Sequence, residues 1–575
     1  MMLKRPLQTF FQKNSLLLLL LFGIVVWSVT MVKSGIVYGF GMGFWGPNGH
    51  DGIWHVAVIN SLSKGIFSMP VFAGENIKNY HIGFDLLLSG IHRITNIPVI
   101  ALYFQIIPPI FAALIGFLVY RFVLLWKGSS RQAIWATFFV YFSGSLGWVV
   151  TFIKDGTFAG ESLFWAQQSL STLINPPFAL SLIFIFLGLI FLEKYLKSGS
   201  NKFALYAIIV FSLTIQVKVY AGVLIIAGLF FAGVTDLLIR RNLKFLYIFL
   251  ATLVLSVFAI LPTYDFGTKS LVFAPFWFLE SMVASPDRFY WPKMATALIN
   301  YKLSGNIIKA ILAYSFTFFI FLLGNLGVRI IAVPWISKGL RNFRKLGIIE
   351  IILISTIFVG ILIPLCFVQA GNPWNSIQFF YYSLVFLSVL SGVSVGEYFE
   401  RIRKENKSSE NEYSAKVWTA TAVLLILIIP TLVSTLRNYL PSRPPAKISI
   451  EELQALKFLK DMPDGVVLTQ LYDRELADKA IANPPRPLYL YESTAYVAAL
   501  SGKQTFLEDE VNLEITGYDW KRRREDIIRN FGDTTYLKNL GITYIYIPDE
   551  ESFKYKDEMK SINIYNKDNI AIYKL

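Results

Sequence analysis

A polytopic α-helical membrane protein with about eleven crossings and a small C-terminal extracytoplasmic α/β domain is what this sequence predicts, and three observations carry the prediction. Of 575 residues, 55% are hydrophobic and only 16% charged, with a mean hydropathy of +0.53, which excludes an ordinary soluble globule. Apolar runs of about 18 residues or more recur from Ser15 onward, each long enough to cross a hydrocarbon core about 30 Å thick. The composition then changes at Arg437: from there to the end 20 basic residues stand against 22 acidic ones, whereas the preceding part carries 33 and 16. The net charge of +15 therefore belongs to the apolar region, where it reports topology and not nucleic-acid binding. The single cysteine, Cys366, excludes an intramolecular disulfide and any thiolate-rich metal site.

Hydropathy places crossings at 15–32, 99–120, 132–153, 170–192, 203–217, 219–238, 245–262, 307–333, 348–368, 376–396 and 416–435. With the N-terminus inside, every inner loop is basic: Arg121, Lys127 and Arg131; Lys194, Lys197 and Lys202; Arg240, Arg241 and Lys244; Lys338, Arg341, Arg344 and Lys345; Arg401, Arg403, Lys404, Lys407 and Lys416. The outer segment Gln369 to Asn375 has no Lys or Arg, so the positive-inside rule puts the C-terminus outside a cytoplasmic membrane. Thr30-Met31-Val32-Lys33 offers no small-residue cleavage site, which makes the first span an uncleaved anchor. Residues 1–436 form the expected transmembrane domain, with a long first outer loop at 33–98 and a second from Pro262 to Asn306. Ile53 to Phe67 and Ile82 to Ile94 read as helices lying at the outer membrane surface. The Pro-rich stretch 437–445 is a stiff linker. In the extracytoplasmic domain at 446–575, Glu451 to Lys460 and Trp520 to Asn530 read as helices, and Val466 to Thr469 and Thr543 to Ile547 as strands.

All four histidines, His50, His55, His81 and His92, fall in the first outer loop, with Asp51 and Asp85. Asp51 opens a helix after the Gly-rich turn Gly46-Pro47-Asn48-Gly49. The spacing of four between Asp51 and His55, and between His81 and Asp85, would put each pair on one helix face. A functional cluster competes here with a capping aspartate and interfacial histidines. Gly41-x-Gly43-x-x-Gly46 follows a membrane span and lacks the βαβ context of a dinucleotide site. Lys218 stands in a run that must cross twice between Phe203 and Leu238, so its turn lies below the outer surface. A lysine there either faces a polar cavity or an anion, or snorkels to the headgroups. Glu161, in the loop 154–168, reads as a second carboxylate for a cation or an acceptor, against the alternative of a solvated acid. Gln378 belongs to an amide-rich and phenol-rich span end, Asn372 to Tyr382, and Arg288, with Asp287 and Lys293, is placed to meet a phosphate.

The acid after span one, the two surface helices, the lysine in a mid-chain hairpin, the eleven crossings and the outer C-terminal domain together resemble the GT-C superfamily of membrane glycosyltransferases. The plan is similar to that of protein O-mannosyltransferases and aminoarabinose transferases, and the resemblance covers about 1–436. It rests most closely on His50-Asp51-Gly52 through Gly65 and on Thr214 to Tyr220. Gly52 stands where many relatives carry a second carboxylate. The resemblance implies that Asp51 is the catalytic carboxylate and that Lys218 contacts the donor phosphate; His50, His55, His81, Glu161, Gln378 and Arg288, read from their positions, complete the expected substrate-binding set. It implies a polyprenyl-phosphate sugar donor and a cell-envelope glycan, lipid or protein acceptor, in contact with membrane lipid and without nucleic acid. No cofactor is required by it, although a divalent cation is left open and its ligands are unknown.

Two other classes fit the same composition: a transporter or flippase of lipid-linked saccharides, which would need paired broken helices, and a non-catalytic saccharide-binding membrane protein, in which Asp51 would be dispensable. The topology itself is testable. A thiol placed at Ser501 is expected to react with an impermeant reagent added outside, and one at Ser408 to be protected; the reverse pattern would invert every assignment above.

Overall fold

The computed structural model describes residues 4–265, 271–405 and 410–575. The chain divides into two compact units, one comprising Met1–Ser28, Pro109–Pro262 and Lys269–Asn438, the other Val29–Pro108, Thr263–Thr268 and Tyr439–Leu575.

Among the described residues, nine helices are long and apolar enough to cross a membrane, and the bent pair Ser130–Phe142 and Gly147–Asp155 makes a tenth. The shorter apolar helix Asn201–Val217 stands where the remaining expected crossing was placed. The polytopic helical architecture read from hydropathy is therefore observed. Local chemistry explains the helix ends. Asn175 caps Pro176–Ser198, its side chain accepting from the Phe178 amide, with proline at the first helical position, where a missing N–H costs nothing. The bend of 46° falls at Ser143 to Leu146, and its freed backbone groups are met within the first unit: Leu146 N–H donates to Gly324 O (2.8 Å) and Thr431 Oγ1 to Ser145 O (3.1 Å). Such partners make a broken helix tolerable in an apolar setting. Gly144 permits the contact, because a Cβ there would lie 2.3 Å from Thr431 Cγ2. Arg329 lies in the core of this unit, 2% exposed, and donates to Ser388 Oγ, Asn325 O, Ser143 O and Ser169 Oγ.

The second unit joins the long loop that follows the first span to the C-terminal region. One sheet runs in the order Ile36–Tyr38, Gly41–Phe44, Ala446–Ile448, Arg486–Pro487, with Met42 opposite Ile448 and Phe44 opposite Ala446. Gly41 is obligatory in that pairing, since its φ is +107° and a Cβ would lie 2.1 Å from Ile448 O. A second sheet has the order Val466–Thr469, Ile542–Ile547, Ile570–Lys574, Asn563–Lys567. Its first pair is parallel and the other two antiparallel. Helix Ile450–Asp461 starts on a capping box of Ser449 and Glu452, and helix Trp520–Asn530 has the expected bounds. Helix Gly83–Thr95 is amphipathic, burying Phe84 and Leu88 while exposing Leu86 and Leu87. Helix Asp51–Ser63 differs from expectation: residues on all its faces are buried, so it is a core helix of this unit and not one lying on a single apolar face.

Loop and C-terminal region are stitched by backbone bonds from Ala73 N to Thr505 O, Thr505 N to Pro70 O and Glu508 N to Val71 O, at 3.0, 2.7 and 3.0 Å. Arg523 closes the seam. Its Nη1 donates to Ala73 O (3.0 Å) and Phe506 O (2.8 Å), and its guanidinium lies 3.4 Å from the centroid of Phe72. Ser501, by contrast, is buried and donates to Val497 O (2.6 Å), and Ser408 lies outside the described residues, so the thiol test is better made at exposed Ser552 and Ser337. Arg523→Met is expected to lower stability by about 1.5–3 kcal/mol, the worth of hydrogen bonds from a charged group, read as an earlier thermal unfolding transition in detergent. An unchanged transition would remove this side chain from the seam.

Candidate functional site

Functional side chains gather as one group in each unit. In the second unit, the turn Gly46–Gly49 is held by Ser34 Oγ, which accepts from Trp45 N (2.9 Å) and Asn48 Nδ2 (3.0 Å). Helix Asp51–Ser63 follows, with His50 at the N-cap position making no side-chain cap bond. The imidazole is committed to carboxylates instead: Nδ1 lies 2.9 Å from Asp51 Oδ1 and Nε2 3.2 Å from Asp509 Oδ1, with Glu492 Oε2 3.8 Å from Nδ1. His50 and Asp509 are buried, whereas the Asp51 side chain is 55% exposed. Burial alone would lower the His50 pKa, but the charges and hydrogen bonds of Asp509 and then Asp51 outweigh it and hold the ring well above the ordinary value. Burial also raises the Glu492 carboxyl, against the pull of His50.

A second pair lies beside it in the same unit. His55 Nδ1 meets Asp85 Oδ1 at 2.7 Å, with Asp85 fully buried and the Tyr80 hydroxyl 3.4 Å from the same nitrogen. The His55 ring stacks on Tyr103 at 5.6 Å between centroids. His50 thus meets Asp51 and His55 meets Asp85, where the spacing of four suggested His55 with Asp51 and His81 with Asp85. Helix Gly83–Thr95 begins after His81, so that spacing has no helical meaning, and Asp51 at the first helical position turns back to its neighbour. His81 stacks on Tyr80 at 4.9 Å.

In the first unit, Lys218 is the single extended residue (φ −158°, ψ 114°) between helices Asn201–Val217 and Val219–Arg240. It is 6% exposed, donates to Asn175 Oδ1 at 3.3 Å and lies 5.5 Å from the Tyr220 ring centroid. Asn175 Nδ2 donates to Gln378 Oε1 (3.5 Å), and Gln378 Nε2 to Asn375 Oδ1 (3.4 Å). Lys218 and Gln378 therefore share one amide network. Glu161 and Arg288 form a neighbouring pair of anchors through adjacent residues: Glu161 Oε1 accepts from Gln168 N and Ser171 Oγ, and Arg288 donates to Ser162 O (3.1 Å) and Ser162 Oγ (2.8 Å) while lying 4.1 Å from the Trp165 ring centroid. Both charges brace the loop that carries Glu161, Arg288 reaching it from a separate segment.

Asn175, Asp509 and Glu492 escaped sequence reasoning. Asn175 had a local signal, an asparagine before Pro176-Pro177 heading an apolar run. Asp509 had none, being 459 residues from His50. Among the described residues no three His, Cys, Asp or Glu side chains form a set that could hold a metal ion. No step below is assigned to a metal ion.

No family model matches the chain, and no curated protein matches it. Solved structures do. The archaeal oligosaccharyltransferase AglB from Archaeoglobus fulgidus, in complex with an inhibitory peptide and a dolichol-phosphate, superposes with a TM-score of 0.51 at 13% identity, covering 94% of this chain and 70% of that one. The same organism's oligosaccharyltransferase tethered to an acceptor peptide containing the NVT sequon gives 0.51 at 12% identity with the same coverage. Its apo form gives 0.52 at 13%, again over 94% and 70%. At this identity the likeness is one of fold.

Proposed function

We propose that this chain is a membrane glycosyltransferase that moves a sugar from a polyprenyl-phosphate-linked donor to an acceptor hydroxyl on the outer face of the membrane. The observation that carries the reading is the fold: it extends over 94% of the chain and is shared with an oligosaccharyltransferase solved with a dolichol-phosphate. The orientation rests on the basic inner loops, and the acceptor is a cell-envelope glycan, lipid or protein.

In this reading Asp51 is the base. It takes the proton of the acceptor hydroxyl as that oxygen bonds to the anomeric carbon and the bond from that carbon to the lipid phosphate oxygen breaks. The leaving phosphate carries away the electron pair, and a cation in a site sheltered from water stabilises it far more than one in bulk solvent. Lys218, buried and aimed at neutral Asn175, is assigned that role, with Gln378 extending the polar surface through the same amide. His55 and His81 are assigned to substrate contact, beside Tyr80. Glu161 and Arg288 are assigned to shaping the loop 154–168, where both make hydrogen bonds.

Asp51→Asn is expected to abolish transfer from a polyprenyl-phosphate sugar while thermal stability stays within about 1 kcal/mol, because a half-exposed carboxylate contributes little to stability. Retained turnover in this variant would remove Asp51 from the chemistry. Lys218→Met is expected to weaken binding of a fluorescent polyprenyl phosphate about tenfold or more, as loss of a charge-assisted contact worth roughly 1.5–3 kcal/mol implies. Lys218→Arg should recover part of that loss. Equal affinity in all three proteins would mean that the lysine only spans the headgroup boundary.

A further inference from the structure

We infer that Asp509 and His50 are positioning residues for Asp51, so that the C-terminal region takes part in building the candidate site. The inference rests on the reading of Asp51 as the base and deepens it. Its ground is geometric. Both ring nitrogens of His50 lie within hydrogen-bond distance of carboxylate oxygens, Nδ1 at 2.9 Å from Asp51 and Nε2 at 3.2 Å from Asp509. Ionised carboxylates only accept hydrogen bonds, so a neutral imidazole, with one N–H, can satisfy one of these contacts and only the imidazolium satisfies both.

The far end of this chain of contacts is rigid. Asp509 is fully buried and caps helix Glu510–Thr516 from the left-handed region, at φ +51°. Its Oδ1 accepts from Asn512 N (3.1 Å) and its Oδ2 from Asn512 Nδ2 (2.9 Å). A non-glycine residue held at positive φ is strained unless its surroundings impose the conformation, and such residues concentrate at functional sites. Asp509 fixes one edge of the His50 ring, and the opposite edge then fixes the Asp51 carboxylate. The near end is open: Asp51 is 55% exposed beside a His50 side chain that is 9% exposed. A proposed reactive group reaches solvent while the groups orienting it do not, which is how a side chain is held to a single geometry without being shut away from substrate.

The other charged and titratable groups facing this arrangement are consistent with a cationic ring. Glu492 stands 3.8 Å from Nδ1, Arg486 acts on Glu492, Tyr491, Tyr80 and Tyr103 are within electrostatic reach of Asp51, and Glu508 and Glu510 are within reach of Asp509. Net attraction holds the His50 pKa well above 6.5. A histidine whose folded pKa is raised keeps its ion pairs below that pKa and loses them as pH rises through it. The support of Asp51 is therefore present at neutral pH and is lost on the alkaline side.

Full-length protein labelled with carbon-13 histidine in detergent has only four histidine signals to resolve, from four residues, and His50→Gln identifies one of them. That signal is expected to report an imidazolium at pH 7 in the wild type. In Asp509→Asn it should titrate about one pH unit or more lower, the effect of removing an opposite charge within hydrogen-bond distance. Asparagine caps a helix as well as aspartate does and tolerates positive φ, so this variant keeps the fold. The alkaline limb of transfer activity should move down with the titration, leaving the variant about tenfold less active at high pH and near wild type at low pH, a recovery that a merely structural role would not give. A wild-type His50 titrating at or below about 6.5 overturns the inference, as does an alkaline limb that stays put in Asp509→Asn. Failure of the glycosyltransferase reading looks different: wild-type protein then transfers no sugar at any pH, and the titration alone decides whether Asp509 and His50 hold the charge on which the inference stands.

Discussion

A charge withdrawn from water is costly unless a partner stands within hydrogen-bond reach, and that requirement decides where the polar side chains of this largely apolar chain stand. Arg329 is met by oxygens from three stretches of chain besides its own helical turn. Lys218 reaches Asn175, Asp85 reaches His55, and Asp509 reaches both Asn512 and His50. Each contact fulfils the solvation requirement of one group, and most of them also tie together segments remote in sequence. Charge burial here is a device for joining segments, and the candidate sites lie where the joins are.

Backbone economy in the second unit follows the same logic. Short strands have little apolar surface to bury and depend on pairing. Gly41–Phe44 finds that pairing in Ala446–Ile448, and the glycine at its start lets the two backbones approach. The seam from Pro70 to Glu508 repeats the arrangement with backbone bonds. Between these two joins runs helix Asp51–Ser63, buried on all faces. A helix so enclosed has no freedom to tilt, and the residue at its first position inherits that rigidity.

What the sequence discloses and what it hides divides along the range of the interaction responsible. Crossings, the break at Lys218 and helix Trp520–Asn530 were legible because each depends on residues near one another: an apolar run of given length, a span too short to reach, a charged stretch with helical periodicity. Lys218 shows this well, since the length of the preceding run already demanded an interruption near it. Gly41–Phe44 was illegible as a strand, for Gly-Met-Gly-Phe has neither β-branched residues nor alternation, and its partner lies some four hundred positions away. Asp509 and Glu492, beside His50, were hidden for the same reason, while the partner of His55 was misread because Asp51, at the first helical position, meets His50 and the carboxylate that meets His55 is Asp85, from a separate helix. Arg329 was visible as a charge near the end of an apolar span, but it stands close to the basic run Lys338 to Lys345, where snorkelling explains a cation equally well.

The two groups of side chains solve different physical problems, and the difference agrees with the roles assigned to them. A cation that meets a departing phosphate gains by being dry, because its attraction is not then divided by the dielectric constant of water; Lys218 is 6% exposed and donates to the neutral amide of Asn175. A base that meets an incoming hydroxyl must be reached by a substrate whose size the protein does not control, and Asp51 is accordingly the exposed member of its cluster. Exposure removes the packing that would hold a carboxylate still. Precision has to come from behind, through a ring whose two nitrogens are both engaged, and this makes His50, buried and adjacent, the residue on which the geometry of the proposed base depends.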